Sequence, residues 1–173
     1  FWGKIGRAFF RSLSERQYDR QGSSDLSLAI LASLAQWMKI LVKGTPRTIE
    51  ITDNKPADIT IFTDGFYPNP ILGESGKSGV GGVIFDRCRS VPIAFHNEIS
   101  EQLMRSWLPR DTQISMIEMF APILAASALG IEIENKSVIF LIDNESVESA
   151  MIKGYSRKED LCSLTAVFWD LCE

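Results

Sequence analysis

Apolar positions follow a helical rhythm at the start of the chain and then change to a strand rhythm. Over residues 23–43, Leu26, Ile30, Leu34, Trp37 and Leu41 form a stripe of helical spacing. Ser24 or Asp25 is placed to cap that helix, and Gly44 ends it before Pro46. From Asp58 to Asp64 the pattern alternates instead, as a half-buried strand does, and breaks at Gly65. Gly79–Phe85 and Val91–Asn97 read as two further strands, joined as a hairpin by the polar Asp86–Ser90. Residues 112–130 return to the helical period, with Ile114, Ile117, Ala121, Leu124, Ala125 and Ala128 on one face. Pro122 inside this stretch should bend it. Ser137–Asp143 is almost continuously apolar, the pattern of a strand buried on both faces beside a parallel neighbour. Asn144–Lys153 and Lys158–Glu173 read as closing helices, the second with Leu161, Leu164, Phe168 and Leu171 on one side. The organisation expected is a helical connector over 1–48, a linker over 49–57 and an α/β body over 58–173.

Composition narrows the class. With 173 residues, 45% hydrophobic and 23% charged, the chain can bury a core and is neither disordered nor a coiled coil. No run of about 18 apolar residues stands out, so no membrane span is expected. Three cysteines, Cys88, Cys162 and Cys172, are odd in number and lack CxxC spacing. A disulfide scaffold or zinc module is disfavoured, and an intracellular setting, cytoplasm or nucleus, is expected. The net charge of −4 is unevenly spread. Residues 1–48 carry 8 Lys/Arg against 3 Asp/Glu, whereas residues 49–173 carry 10 against 19. The basic segment interleaves Lys4, Arg7 and Arg11 with Trp2, Phe9, Phe10 and Tyr18. Such a strip can follow a nucleic-acid backbone, or it can be an amphipathic helix with solvated cations.

Three carboxylates stand apart by position. Asp64 closes the first strand, Asp143 closes the apolar strand, and Glu118 lies within the apolar stripe of the helix between them. A strand–helix–strand crossover is right-handed and leaves both strands pointing the same way. Neighbouring strands lie about 4.8 Å apart, so both aspartates would share the carboxyl edge of the sheet, with Glu118 aimed at it. Carboxylates so placed repel one another, and a divalent cation resolves the conflict. Oxygen donors without Cys or His suit Mg²⁺ or Mn²⁺, and two such ions support in-line phosphoryl displacement. Each residue also has a plainer role open to it. Asp64 before Gly65 can form a turn, Asp143 can cap the next helix, and Glu118 can pair with a lysine.

In order, Ile59-Thr-Ile-Phe-Thr-Asp64-Gly65, Gly79-Val-Gly-Gly-Val-Ile-Phe85, Gln113-Ile-Ser-Met-Ile-Glu118 and Val138-Ile-Phe-Leu-Ile-Asp143-Asn144 resemble the ribonuclease H family. The set is most similar to the domains that follow the polymerase in retroelement reverse transcriptases. The resemblance covers residues 58–173. It implies a ribonuclease H-like mixed sheet flanked by helices and an endonuclease that cuts the RNA strand of RNA·DNA hybrids. It implies two Mg²⁺ (or Mn²⁺) ions, with Asp64, Glu118 and Asp143 as catalytic and metal-holding residues. The basic connector resembles the stretch joining polymerase to ribonuclease H, which assigns Lys4, Arg7 and Arg11 to nucleic-acid contact. Partners would be the hybrid and other domains of a reverse transcriptase-like polyprotein. Two departures are Phe66, where the family has a small residue, and a last strand and helix with a fourth carboxylate, which have no counterpart before Glu173. Asp160, Asp170 and Glu173 match that carboxylate in type only. This second departure keeps a catalytically silent scaffold or partner-binding domain as the alternative. His96 and Trp107 are expected to be structural.

Overall fold

The computed structural model describes residues 4–18, 25–43, 56–68 and 76–172. The expected stop at Gly44, the cap candidate Ser24 and most of the linker lie outside them. In chain order the elements are α1 (Ile5–Gln17), α2 (Leu28–Lys43), β1 (Ile59–Phe66), β2 (Gly79–Asp86), β3 (Ile93–Glu98), α3 (Glu101–Arg105), α4 (Ile114–Leu129), β4 (Val138–Ile142), α5 (Glu145–Lys153) and α6 (Glu159–Cys172). The protein is α/β, and its described residues form a mixed four-stranded sheet ordered β3-β2-β1-β4 and six α-helices.

The sheet follows from the alternation. Ile59, Ile61 and Thr63 point inward and are buried, while Phe62, Asp64 and Phe66 point outward and are exposed. β1 pairs antiparallel with β2, Asp64 opposite Gly81, and β2 pairs antiparallel with β3. On its other side β1 pairs parallel with β4, Ile59 opposite Val138 and Thr63 opposite Ile142. Two corrections belong here. β1 continues two residues past Asp64, because Gly65 and Phe66 keep their partners in β2. β4 is not buried on both faces. It is an edge of the described sheet, and Ile139 and Leu141 remain 47% and 43% exposed on its outer face.

α4 is the central helix. It packs on β1, β2 and α6, and Met116, Ile117, Met119 and Ala121 have no exposed surface. By length and composition alone, Ile114–Ile133 is apolar enough to cross a membrane. Its burial makes it the core helix that an all-round apolar sequence predicts. Pro122 does not end it. The helix runs on to Leu129, with Pro122 itself buried. Proline has no N–H to offer the carbonyl four residues earlier, so the helical bond to Glu118 is the one omitted.

The N-terminal helices join this body. α1 packs against α6, and α2 against α1. Ser12 and Ser33 share a hydrogen bond of 2.7 Å, and Phe10 meets Trp37 edge to face at 5.2 Å. The Ser27 hydroxyl accepts from the Ile30 N–H at the start of α2. The expected α2 stripe is half right: Ile30 is buried and Trp37 half-buried, but Leu26, Leu34 and Leu41 are exposed. α1 begins where α5 ends. Gly154 terminates α5 in the left-handed region, φ 76°, and a side chain there would meet the Lys4 backbone oxygen at 2.7 Å.

Gly154 is therefore fixed twice, by its dihedral and by its contact. Gly154→Ala should destabilise the protein by at least about 1 kcal/mol, read as a lower urea midpoint at unchanged slope. An unchanged midpoint would show that α1 does not approach α5 this closely.

Candidate functional site

The site is built where the pairing of β1 with β4 stops, β4 ending there and β1 running on to Phe66. Their paired register stops at Thr63 and Ile142, and Asp64 and Asp143 are the next residues of each strand. Both are exposed. The Asp64 Oδ1 accepts the Gly65 N–H at 2.8 Å, but both residues lie within β1, so the turn that the sequence allowed is not formed. Asp143 does not cap α5. That role falls to Asn144, whose Oδ1 accepts from the Ser146 and Val147 N–H groups at 3.1 and 3.2 Å.

Glu118 stands behind the two aspartates on α4. It is 5% exposed, and its Oε2 has no hydrogen-bond partner. A lysine partner, the plainer expectation, is not there. Burial chiefly, then the nearby Asp64 and Asp143 charges, push its pKa up to about 7, while the Gly65 N–H pulls the other way. The close approach depends on Gly65. A Cβ there would lie 2.9 Å from Ile117 Cγ2 and 3.0 Å from the Glu118 nitrogen, inside normal contact. The Thr63 hydroxyl, also buried and without a partner, lies one residue before Asp64 on the inner face of β1.

The structure thus brings Asp64, Glu118 and Asp143 into one electrostatic neighbourhood. Among the described residues, however, no three His, Cys, Asp or Glu side chains are gathered closely enough to hold an ion as they stand. The donor set is all oxygen, which suits Mg²⁺ or Mn²⁺. One buried carboxylate oxygen lacks any other partner, and polar atoms in that position are ordinarily satisfied. On those two grounds the residues fit a divalent cation.

The other candidates sit elsewhere. Asp160 accepts from the Leu108 and Leu161 N–H groups and pairs with Arg110. Burial alone would raise its pKa, but these bonds hold it below the usual carboxylate value. Asp170 lies 3.7 Å from Lys39. Trp107 is buried and packs in the core, as expected. His96 is exposed on β3, opposite Gly81. Lys4, which precedes α1, and Arg7 and Arg11 within it face partners in the chain. Lys4 Nζ lies 4.5 Å over the Trp169 ring, and Arg7 Nη1 donates to the Lys153 carbonyl at 3.2 Å. Arg11 Nε donates to Glu15 at 2.7 Å. The first two contacts fasten the start of α1 to α6 and α5, whereas the Arg11–Glu15 pair lies within α1 itself. Sequence reasoning missed this second role, and also the Gly65 contact. The signal for the latter was only a glycine following the strand carboxylate.

Comparisons with family models, with curated proteins and with solved structures find no match to this chain.

Glu118 gives the site a pH signature. Its native pKa of about 7 exceeds the ordinary 4.5, so the native state binds more protons than the unfolded chain between those values. Stability must fall as pH rises through that window and level off above it. In a chelating buffer, Glu118→Gln should remove this slope and be more stable than wild type at pH 8 by roughly 1–3 kcal/mol. The advantage should vanish below about pH 4.5. Parallel stability curves for the two proteins across that range would mean that Glu118 is not strained.

Proposed function

We propose that this protein is a metal-dependent endonuclease of the ribonuclease H type, hydrolysing the RNA strand of RNA·DNA hybrids. The observation that carries the reading is a buried carboxylate oxygen without a partner, on Glu118, set behind two aspartates at adjacent ends of parallel strands. A buried unpaired carboxylate is costly for stability alone, and perturbed groups of this kind concentrate at functional sites. The mixed sheet with β4 parallel to β1 across α4 is compatible with a ribonuclease H-like arrangement.

Asp64, Glu118 and Asp143 would hold two Mg²⁺ or Mn²⁺ ions. When bound, such a pair supplies charge neutralisation at the phosphate and water ionisation near neutral pH. Asp64 and Asp143, exposed at the sheet edge, fix where the scissile phosphate lies. Glu118, held on the core helix, orients the attacking water from the buried side. Because α4 is buried on both sides of Glu118, at Met116, Ile117 and Met119, this orientation needs little rearrangement when substrate arrives. Cleavage leaves a 3′-hydroxyl and a 5′-phosphate. Lys4, Arg7 and Arg11 are the proposed phosphate contacts. A phosphate has to compete there with Trp169, the Lys153 carbonyl and Glu15.

One finding favours the alternative, a catalytically silent scaffold of the same architecture. Asp64 already satisfies one oxygen on its own backbone, and the three carboxylates are not gathered as a ligand set. Titrating Mg²⁺ while following the NMR signals of the three carboxylates separates the readings. Movement at all three in the millimolar range supports the nuclease, and no movement supports the scaffold.

Two further outcomes are expected. Asp64→Asn should lower hybrid cleavage by orders of magnitude with folding stability unchanged or raised, since repulsion on Glu118 is relieved. Equal loss of activity and melting temperature would instead make Asp64 structural. Replacing Lys4, Arg7 and Arg11 together by Ala should flatten the salt dependence of hybrid binding, by about one unit of log–log slope per lost contact. It should also lower the melting temperature, because Lys4 and Arg7 fasten α1 to α6 and α5. A lower melting temperature with an unchanged slope would leave them a fastening role only.

A further inference from the structure

Thr63 carries a buried hydroxyl that the carboxylate site does not use. The residue is 5% exposed, and its Oγ1 has no hydrogen-bond partner within the protein. Threonine and valine are close in shape. A buried hydroxyl therefore costs stability, relative to valine, unless a polar group receives it.

Register shows what lies over it. α4 runs against β1: Gly65, late in the strand, meets Ile117 and Glu118, whereas Ile59 and Ile61 cluster with Ala125 and Leu129. Thr63 shares the inner face of β1 with Gly65, two residues back. Two strand residues span about 6.6 Å, which a helix covers in roughly four to five residues. Thr63 therefore lies level with the turn from Glu118 to Pro122. Helix carbonyls point towards the C-terminus, so the Glu118 carbonyl points along this turn. Its helical donor is missing, because residue 122 is a proline and has no N–H. A donor without an acceptor and an acceptor without its donor thus share one level of the buried face between strand and helix. Thr63 Oγ1 reaches no acceptor directly, and a single water between two such groups completes both bonds.

We propose that Thr63 is a positioning residue for Glu118, its hydroxyl joined to the Glu118 main-chain carbonyl across one buried water. The hydroxyl donates to the water, and the water donates to the carbonyl. This link takes the place of the helical bond that Pro122 does not make, and it fixes the turn from which Glu118 reaches the aspartates. The link itself is independent of the nuclease reading, and only its bearing on the attacking water rests on that reading.

Urea unfolding of the full chain tests the link. Thr63→Val should lower the folding equilibrium constant by roughly two- to tenfold, and Thr63→Ser should retain most of it. Pro122→Ala returns an N–H to the Glu118 carbonyl, so in that background Thr63→Val should be neutral or stabilising. A Thr63→Val protein at least as stable as wild type overturns the proposal, because the hydroxyl then has no acceptor. An equal loss in both backgrounds overturns it too, since Thr63 is then a packing residue. The positioning role has its own readout in the ¹³C signals of the Glu118 main-chain carbonyl and carboxyl. Both should move in Thr63→Val and return in Thr63→Ser, and unmoved signals overturn the role. Neither measurement needs cleavage, so a wild type without activity would count against the nuclease reading alone.

Discussion

Everything chemically distinctive in this protein depends on one close contact, the backbone of β1 at Gly65 against the α4 turn at Ile117 and Glu118. Any side chain at 65 would push helix and strand apart. Its absence lets a glutamate on the core helix come within electrostatic reach of the strand-end aspartates. Glu118 is buried there, with one carboxylate oxygen, Oε2, left without a partner. Hydrophobic packing of Met116, Ile117 and Met119 holds α4 in place. Many favourable dispersion contacts thus offset one unfavourable polar burial. Pro122 adds to the peculiarity of this turn, because it takes no part in bonding the Glu118 carbonyl.

Much of the frame was legible in the sequence. Strict alternation from Ile59 to Thr63 marks β1, and a polar hairpin marks β2 and β3, because one buried face allows only one register. The parallel direction of β1 and β4 was expected from the crossover between them, and their register stops at Thr63 and Ile142, one residue before Asp64 and Asp143. Other features were not legible because they depend on neighbours distant in sequence. The apolar run at Val138–Ile142 reads as doubly buried, yet nothing among the described residues covers its outer face. Hydrophobicity reports what a position tolerates, not what lies over it. Lys4 and Arg7 read as solvated or phosphate-binding, since the Trp169 ring and the Lys153 carbonyl that receive them come from the far end of the chain.

The candidate site divides in the same way. Which carboxylates converge was readable from position. How they share protons and bonds was not. Asp143 and Asn144 are adjacent residues that both suit an N-cap, and only the backbone shows that Asn144 takes it. Glu118 looked equally able to pair with a cation, and its solitude emerges only once α4 is docked on the sheet. Asp160 has a carboxylate like the others but is engaged by Arg110 and two amides. Its environment, not its residue type, separates it from Glu118.

The sheet order also sets a sequence of events in time. β1, β2 and β3 are neighbours along the chain and can zip together as a meander. β4 reaches β1 only after α3 and α4 have been spanned, a closure that is slow on entropic grounds. Asp64 and Asp143 therefore belong to different kinetic units. The early unit carries one aspartate, and the latecomer carries the other. Along the reverse path, β3 and β4 each hold one strand partner where β1 and β2 hold two, so the amides of these edge strands are the ones expected to exchange with solvent through partial opening. The carboxylate pair then exists only while an edge strand, β4, is seated.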